Sequence, residues 1–156
     1  MRTRVKPGWG RGVRDRVLSI ILALAILGVL GTLGYVIVNP GGESFTEFYI
    51  LGLSGEAIGY PEQLVVGEEG KVMVGIINRE HEPVTYRVEV VIDGVKNNEV
   101  GPVTLEHDGE WEGIVGFTPD RAGDKQKVEF LLYREGQSEV YQRLHLWLDV
   151  RWKLAD

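Results

Sequence analysis

The sequence predicts an all-β domain that follows a single membrane-spanning helix. Residues 17–38 form an apolar run without a charged side chain, and runs of β-branched and aromatic residues with period two recur along the rest of the chain. Cysteine is absent, so disulfides do not stabilise the domain. About 115 residues follow the apolar run, which is enough for one domain with its own core.

The apolar run is predicted to be a transmembrane helix. Its 22 residues span roughly 33 Å as a helix, which matches the hydrocarbon core of a bilayer. A buried helix of a soluble domain is rarely apolar on every side over this length. Ala23 and Ala25 lie inside the run and YVIVNPGG follows it, so we expect a retained anchor and not a cleaved signal peptide.

Charge differs between the two sides of the run. Residues 1–16 carry six basic residues and one acid, a net +5, whereas residues 39–156 carry eleven basic residues and 22 acids, a net −11. Because Lys and Arg near a span are retained in the cytoplasm, we expect a single-pass protein of the cell membrane with a cytoplasmic tail and an extracytoplasmic domain. Topology and anionic lipid headgroups account for the basic tail, so no nucleic acid partner is predicted.

Residues 39–44, NPGGES, are predicted to be a short linker to a domain of residues 45–156. Pro40 and the glycines after it end the helix and let the chain turn. Six extended residues reach only about 20 Å, so the domain is held next to the lipid headgroups. Such a tether raises the effective concentration of the domain for other components of the membrane, which favours a membrane or envelope protein partner, or self-association.

The domain is predicted to contain seven or eight strands. The five clearest are rich in β-branched and aromatic residues: Lys71–Asn78, Val84–Ile92, Glu110–Thr118, Lys127–Tyr133 and Val140–Trp152. A strand from Phe45 and short strands near Leu64–Val66 and Val103–Leu105 complete the count. Turn sequences separate the strands, among them residues 93–98 and 119–124. The pattern favours an immunoglobulin-like sandwich, with a small β-barrel as the alternative.

The last strand carries a candidate contact surface. One of its faces is predicted to join the core and holds five apolar residues: Leu144, Leu146, Leu148, Val150 and Trp152. The opposite face holds four polar or aromatic residues: Arg143, His145, Trp147 and Arg151. A tryptophan between cations is suited to stacking on a sugar ring, an anionic polymer or an aromatic side chain of a partner. The alternative is that the second sheet or an N-terminal strand covers this face.

A second candidate surface lies in the apolar run. Small residues that allow another helix to approach closely recur there: Ser19, Ala23, Gly28, Gly31, Thr32 and Gly34. Glycine is common in membrane helices, so a helix without a partner is the alternative.

No pattern in the sequence indicates an active site. His81, His107 and His145 lack the spacing of a zinc site, and the acids of residues 106–112 lack the spacing of a calcium loop. The serines after the apolar run are not in a nucleophile-elbow sequence. We therefore predict no catalytic residue, no metal and no cofactor, and we expect that the protein is not an enzyme.

Several segments of the domain together resemble one family. They are EFYILG at Glu47–Gly52, the pair Tyr60 and Pro61, the run Gly67–Glu80, and FLLY at Phe130–Tyr133. Over residues 45–152 the chain is similar to the outer domain of archaeal and bacterial membrane proteins known as domain of unknown function 1616. The resemblance implies an extracytoplasmic domain without an assigned activity. A looser similarity is to immunoglobulin-like modules of prokaryotic envelope proteins, which serve as spacers, adhesins and assembly contacts.

The sequence as a whole predicts a membrane-anchored binding or structural module that assembles with another membrane or envelope component. A carbohydrate-binding accessory module in surface polysaccharide or glycoprotein assembly is the alternative, and it requires an exposed Trp147 platform in a groove. An enzyme would need a deep pocket with at least two convergent titratable groups, and it is the least favoured of the three classes.

Overall fold

The computed structural model describes residues 11–38 and 42–154, which belong to two separate compact units. The predicted tail residues 1–10, linker residues 39–41 and residues 155–156 lie outside the described residues. The first unit is the helix α1, Arg11–Val38, which begins six residues before the apolar run. By length and composition α1 is able to cross a membrane, either as a span or as a signal sequence.

The second unit is a domain of eight strands. In chain order they are β1 Phe45–Leu51, β2 Gln63–Val65, β3 Gly70–Arg79, β4 Val84–Ile92, β5 Val95–Leu105, β6 Glu110–Phe117, β7 Gly123–Arg134 and β8 Gln142–Arg151. One sheet has the strand order β1-β3-β6 and the other has the order β2-β8-β7-β4-β5. The short β2 runs parallel to β8, and the other described pairs are antiparallel. Two separate sheets confirm the predicted sandwich and not the barrel.

The core lies between the two sheets, on the faces that the period-two pattern predicts. Alternate residues of β3, Val72, Val74 and Ile76, are fully buried. Phe117 of the small sheet meets Phe130 of the large sheet edge to face, with ring centroids 6.1 Å apart. Each side chain of this kind contributes about 1.5–3 kcal/mol when it is buried. Packing of apolar faces therefore holds the sheets together without a disulfide.

The connection between β4 and β5 is shorter than the predicted turn of residues 93–98. Asp93 and Gly94 have φ of 46° and 82° and form a two-residue hairpin turn with left-handed backbone at both positions. The strand resumes at Val95, so the short strand predicted at Val103–Leu105 is the end of the longer β5. The prediction was wrong because Asn97 and the asparagine after it are poor strand formers by propensity.

The last strand follows the predicted alternation with one exception. Leu146, Leu148 and Val150 are buried, as expected for the core face. The prediction for Trp152 was wrong, because its side chain is 73% exposed. It lies after the end of β8, whose last pairing with β2 is at Arg151, so no neighbouring strand remains for it to pack on.

Candidate binding surfaces

The outer face of β8 presents the four residues that the sequence singled out. Arg143, His145, Trp147 and Arg151 are exposed, and we call them the β8 strip. The side chain of Trp147 is 55% exposed. His145 meets it edge to face, with ring centroids 5.6 Å apart and an interplanar angle of 75°. Within the described part of the domain this face stays open, because the small sheet packs against the opposite face.

The cations of the β8 strip differ from those on β4 and β5 of the same sheet. Arg87 of β4 pairs with Glu89 and Glu99, and its guanidinium carbon lies 4.3 Å from the ring centroid of Tyr133. Lys96 pairs with the same two acids. Arg143 and Arg151 make no ion pair with another described residue. The strip therefore keeps two charges for an external anion, whereas Arg87 and Lys96 are compensated by acids of their own strands.

The outer face of the small sheet carries a tyrosine above a glycine. A Cβ at Gly75 would lie only 2.0 Å from Cζ of Tyr49, so the glycine lets the ring lie across the sheet. The Tyr49 hydroxyl donates to Oε1 of Glu112 at 2.7 Å, and it also lies 3.3 Å from Oε1 of Glu110. Burial and the hydrogen bond to Glu112 raise the pKa of Tyr49 above its ordinary range, so the hydroxyl remains a donor.

The acids of residues 106–112 do not converge on one point. Asp108 accepts a hydrogen bond from Nη1 of Arg79 at 2.7 Å, and this guanidinium holds the pKa of the carboxyl below its usual range. Glu110 and Glu112 turn instead toward Tyr49. Among residues 11–38 and 42–154, no group of three or more His, Asp or Glu side chains is placed to hold a metal ion.

Two of the histidines stack on each other near the end of β3. The His81 and His107 rings have centroids 4.5 Å apart. The backbone N–H of His81 donates to Nδ1 of His107 at 3.2 Å, so the neutral His107 ring carries its proton on Nε2. Nε2 faces the carboxylate of Asp108 at 3.4 Å. Both ring nitrogens of His107 therefore have protein partners, and the third histidine, His145, belongs to the β8 strip.

A buried polar cluster lies at the end of the sandwich where β1 starts. Glu80 follows β3, and its side chain is 6% exposed. Its Oε1 accepts hydrogen bonds from Thr46 at 2.8 Å and from Tyr141 at 2.6 Å. Thr46 also hydrogen-bonds the Tyr86 hydroxyl at 2.8 Å, and Nη1 of Arg134 lies 3.7 Å from Glu80. Burial and the bond to Glu80 raise the pKa of Tyr141.

Sequence reasoning missed this cluster. The partners of Glu80 come from β1 and from the β7–β8 region, 34 and 61 residues away along the chain. No local spacing connects such residues, and the single signal was a polar residue directly after a long apolar strand. The cluster joins strands of both sheets, which is a structural role.

A cleft of about 280 Å³ opens between β4, β5 and the turn after β7. Two arginines line it, and both have partners: Arg87 binds acids of the large sheet, and Arg134 packs 4.0 Å from the ring centroid of Tyr141 and faces Glu80. Apolar surface makes up most of the wall. Glu135 also lines the cleft and forms no ion pair with a described residue, so the cleft holds one unpaired carboxylate beside two arginines that are engaged within the domain.

The small residues of α1 are exposed along the helix. The hydroxyl of Ser19 donates to the carbonyl of Asp15 at 2.8 Å, and that of Thr32 donates to the carbonyl of Gly28 at 2.9 Å. Their own helix thus satisfies the hydrogen bonds of these two hydroxyls. Ala23, Gly28, Gly31 and Gly34 make room for another helix, and packing at this stripe stays a prediction.

Solved structures with a similar fold include the CARDB domain of the PF1109 protein from Pyrococcus furiosus, a crystal structure in complex with di-metal ions. It is 17% identical, and the match covers 69% of this chain and 89% of that chain with a TM-score of 0.50. The solution structure of the same domain matches with a TM-score of 0.49 and 17% identity, over 69% of this chain and 97% of that chain. Similarity at this level of identity shows the fold alone, a sandwich of the immunoglobulin-like kind.

A third solved structure, the alkylpurine DNA glycosylase AlkC of Pseudomonas fluorescens bound to DNA, matches over 68% of this chain and 31% of that chain, with 12% identity and a TM-score of 0.44. A comparison with curated protein sequences gives no match. The family described as a domain of unknown function, DUF1616, matches residues 39–149. With most of its length inside that match, the chain belongs to the DUF1616 family.

Proposed function

We propose that the chain is a membrane-anchored binding module, without chemistry of its own, that docks on another membrane or envelope protein through the β8 strip. The helix α1 supplies the anchor, and the short chain between Val38 and Phe45 keeps the domain within about 25 Å of the helix end. A partner in the same membrane then meets the domain at a high effective concentration.

The observation that carries the proposal is the open β8 strip. Trp147 is 55% exposed, and Arg143 and Arg151 on the same strand face have no ion-pair partner among the described residues. Tryptophan and arginine are the side chains that dominate protein interfaces, and here they stand on a strand that is hydrogen-bonded to β7.

The test is recovery of partners by the full chain from its native membrane in mild detergent. We expect a specific protein to copurify with the wild type, and we expect Trp147→Ala to weaken that association by about tenfold or more, because loss of a central tryptophan removes a large share of binding energy. Trp152→Ala is the matched control, because Trp152 is also exposed and lies outside the strip. A chain that reproducibly emerges alone contradicts the proposal.

A glycan is the second candidate ligand of the same strip. An exposed indole four residues from Arg143 on the same strand face, about 13 Å along the strand, is suited to stacking on one ring of an acidic glycan while the guanidinium binds a charge further along the glycan. Glycan binding by the full chain that is lost in Trp147→Ala, with no protein recovered from the membrane, would assign the strip to carbohydrate.

A further inference from the structure

The two sheets have four edge strands, and three of them are protected. In β1, Nε2 of Gln142 donates to the carbonyl of Thr46 at 2.6 Å, and the Tyr60 hydroxyl donates to the carbonyl of Ile50 at 3.0 Å. β2 has only three residues, and it covers β8 at residues 149–151 alone. The remainder of β8 is therefore also an edge, but Arg143 on it disfavours the addition of a basic strand. β5 carries two register irregularities and Pro102, which has no N–H to offer. Such features prevent another strand from adding to an edge.

The fourth edge strand, β6, is protected only where it ends. Nδ2 of Asn98 donates to the carbonyl of Gly116 at 2.8 Å. Asn97 binds both backbone groups of Thr118, at 2.8 Å to its N–H and 2.7 Å to its carbonyl. These bonds close the gap between the sheets at one end of the strand.

The rest of β6 is open. Backbone groups of alternate residues in a strand point to the same side, so those of Glu110, Glu112 and Ile114 point the same way as the carbonyl of Gly116. Their pairs with β3 are therefore not the hydrogen-bonded ones, and no other described residue binds these backbone groups. We call residues 110–114 the β6 edge.

The side chains of the β6 edge are exposed on the outer face of the small sheet. Ile114 is 63% exposed. Glu110 and Glu112 share the Tyr49 hydroxyl, whose single proton serves one carboxylate at a time. Neither acid forms an ion pair with a described residue, because the cations of this face pair with other acids. An open strand thus carries two adjacent charges that are not neutralised.

The charges of Glu110 and Glu112 determine which kind of added strand is favoured. Two copies of the chain could pair antiparallel through their β6 edges, related by a two-fold axis. When all three open residues of each copy are paired, Glu112 of one copy lies directly opposite Glu112 of the other. Like charges at opposed positions destabilise strand pairing, whereas opposite charges stabilise it. A second copy of this chain is therefore disfavoured, and a strand with alternate basic residues is favoured.

We propose that the β6 edge binds, in antiparallel pairing, a β-strand of another protein that places an apolar residue opposite Ile114 and Lys or Arg opposite Glu112 and Glu110. Backbone hydrogen bonds supply affinity in this mode, and alternate side chains supply specificity. The site lies on the other sheet from the β8 strip, and it goes beyond the docking proposed there.

The test uses the full chain in nanodiscs of neutral lipid and a short labelled peptide. The peptide has threonine at every second position. The positions between the threonines hold one isoleucine and then two lysines from the N-terminus to the C-terminus, which is the order that antiparallel pairing requires. We expect fluorescence anisotropy to show binding, and we expect hydrogen exchange at the amides of Glu110, Glu112 and Ile114 to slow by about tenfold or more, since paired amides are protected.

Two variants separate strand addition from charge attraction. The double variant Glu110→Lys with Glu112→Lys should bind the lysine peptide about tenfold or more weakly, and it should bind a peptide with glutamates in place of the lysines. Ile114→Pro removes one of the open N–H groups and should abolish exchange protection, while an edge position tolerates the proline. The matched control reverses two exposed acids elsewhere, Glu135→Lys with Glu139→Lys, and should change the affinity by less than about twofold.

Three results would overturn the proposal: no binding of the lysine peptide, equal binding by the charge-reversed β6 edge, or binding that leaves exchange at residues 110–114 unchanged. The outcome is independent of the β8 strip. Peptide binding that survives in Trp147→Ala, with no partner recovered from the native membrane, supports the β6 edge and contradicts the proposed docking function. Recovery of a partner that depends on Trp147, without binding of the peptide, contradicts only the proposal for the β6 edge.

Discussion

Glu80 brings together residues from four parts of the domain. Its buried carboxylate binds Thr46 and Tyr141 and faces Arg134, and Thr46 passes the connection on to Tyr86. A buried carboxylate is stable only when donors replace its water. The positions of these donors follow from the sheet topology, so the sequence could predict that β3 is buried but not which side chains meet at its end.

Removal of one donor from Glu80 should lower stability. We expect Tyr141→Phe to reduce the free energy of unfolding by about 1.5–3 kcal/mol, because a hydrogen bond to a charged, buried acceptor is lost. Denaturant unfolding of the full chain in detergent measures this change in the free energy of unfolding. The control is Tyr133→Phe, whose ring contacts Arg87 and whose hydroxyl makes no described hydrogen bond, with an expected change below about 0.5 kcal/mol. Equal effects of the two variants would contradict this role for Glu80.

At the level of elements, the β4–β5 hairpin shows where sequence patterns succeed and fail. The dipeptide Asp93-Gly94 marked a turn, and the structure confirms it with left-handed backbone at both residues. Strand propensity suggested that Asn97 and Asn98 extend the turn, yet they lie inside β5. Tertiary contacts override this propensity, because the side-chain amides of both asparagines bind backbone groups at the end of β6.

Loss of this contact should open the end of β6. We expect Asn97→Ala to lower the free energy of unfolding by about 1–2 kcal/mol, because it removes two hydrogen bonds to Thr118. Hydrogen exchange should accelerate at the Thr118 amide before other amides of the domain. Lys96→Ala is the control, since its exposed ion pairs contribute little. Unchanged exchange at Thr118 would show that Asn97 does not hold the strand.

At the scale of the whole molecule, charge and hydropathy patterns predicted two units, a helix and an all-β domain, and the structure has both. Period-two alternation located the core because one face of each strand is buried over several residues. Strand order, the parallel β2–β8 pair and the open β6 edge were beyond the sequence, since they depend on contacts between distant segments.

The absence of cysteine allows a direct test of topology. We expect Ser54→Cys, at an exposed position, to react with a membrane-impermeant maleimide in intact cells. Thr3→Cys should react only after lysis, because the charge asymmetry predicts a cytoplasmic tail. Both chains should stay in the membrane fraction after an alkaline wash. Release of a shortened chain that lacks residue 3 would show that α1 is a cleaved signal sequence.

Thr46 lies at the point where a force applied through the preceding chain would enter the domain. It is the second residue of β1, so a pull on the chain from the helix side reaches it almost immediately. Its side chain and its carbonyl are bound by Glu80, Tyr86 and Gln142, which together involve both sheets. β1 also runs along β3 over seven residue pairs. Tension between the membrane and a bound partner would therefore act first on a strand whose start is hydrogen-bonded to groups of both sheets.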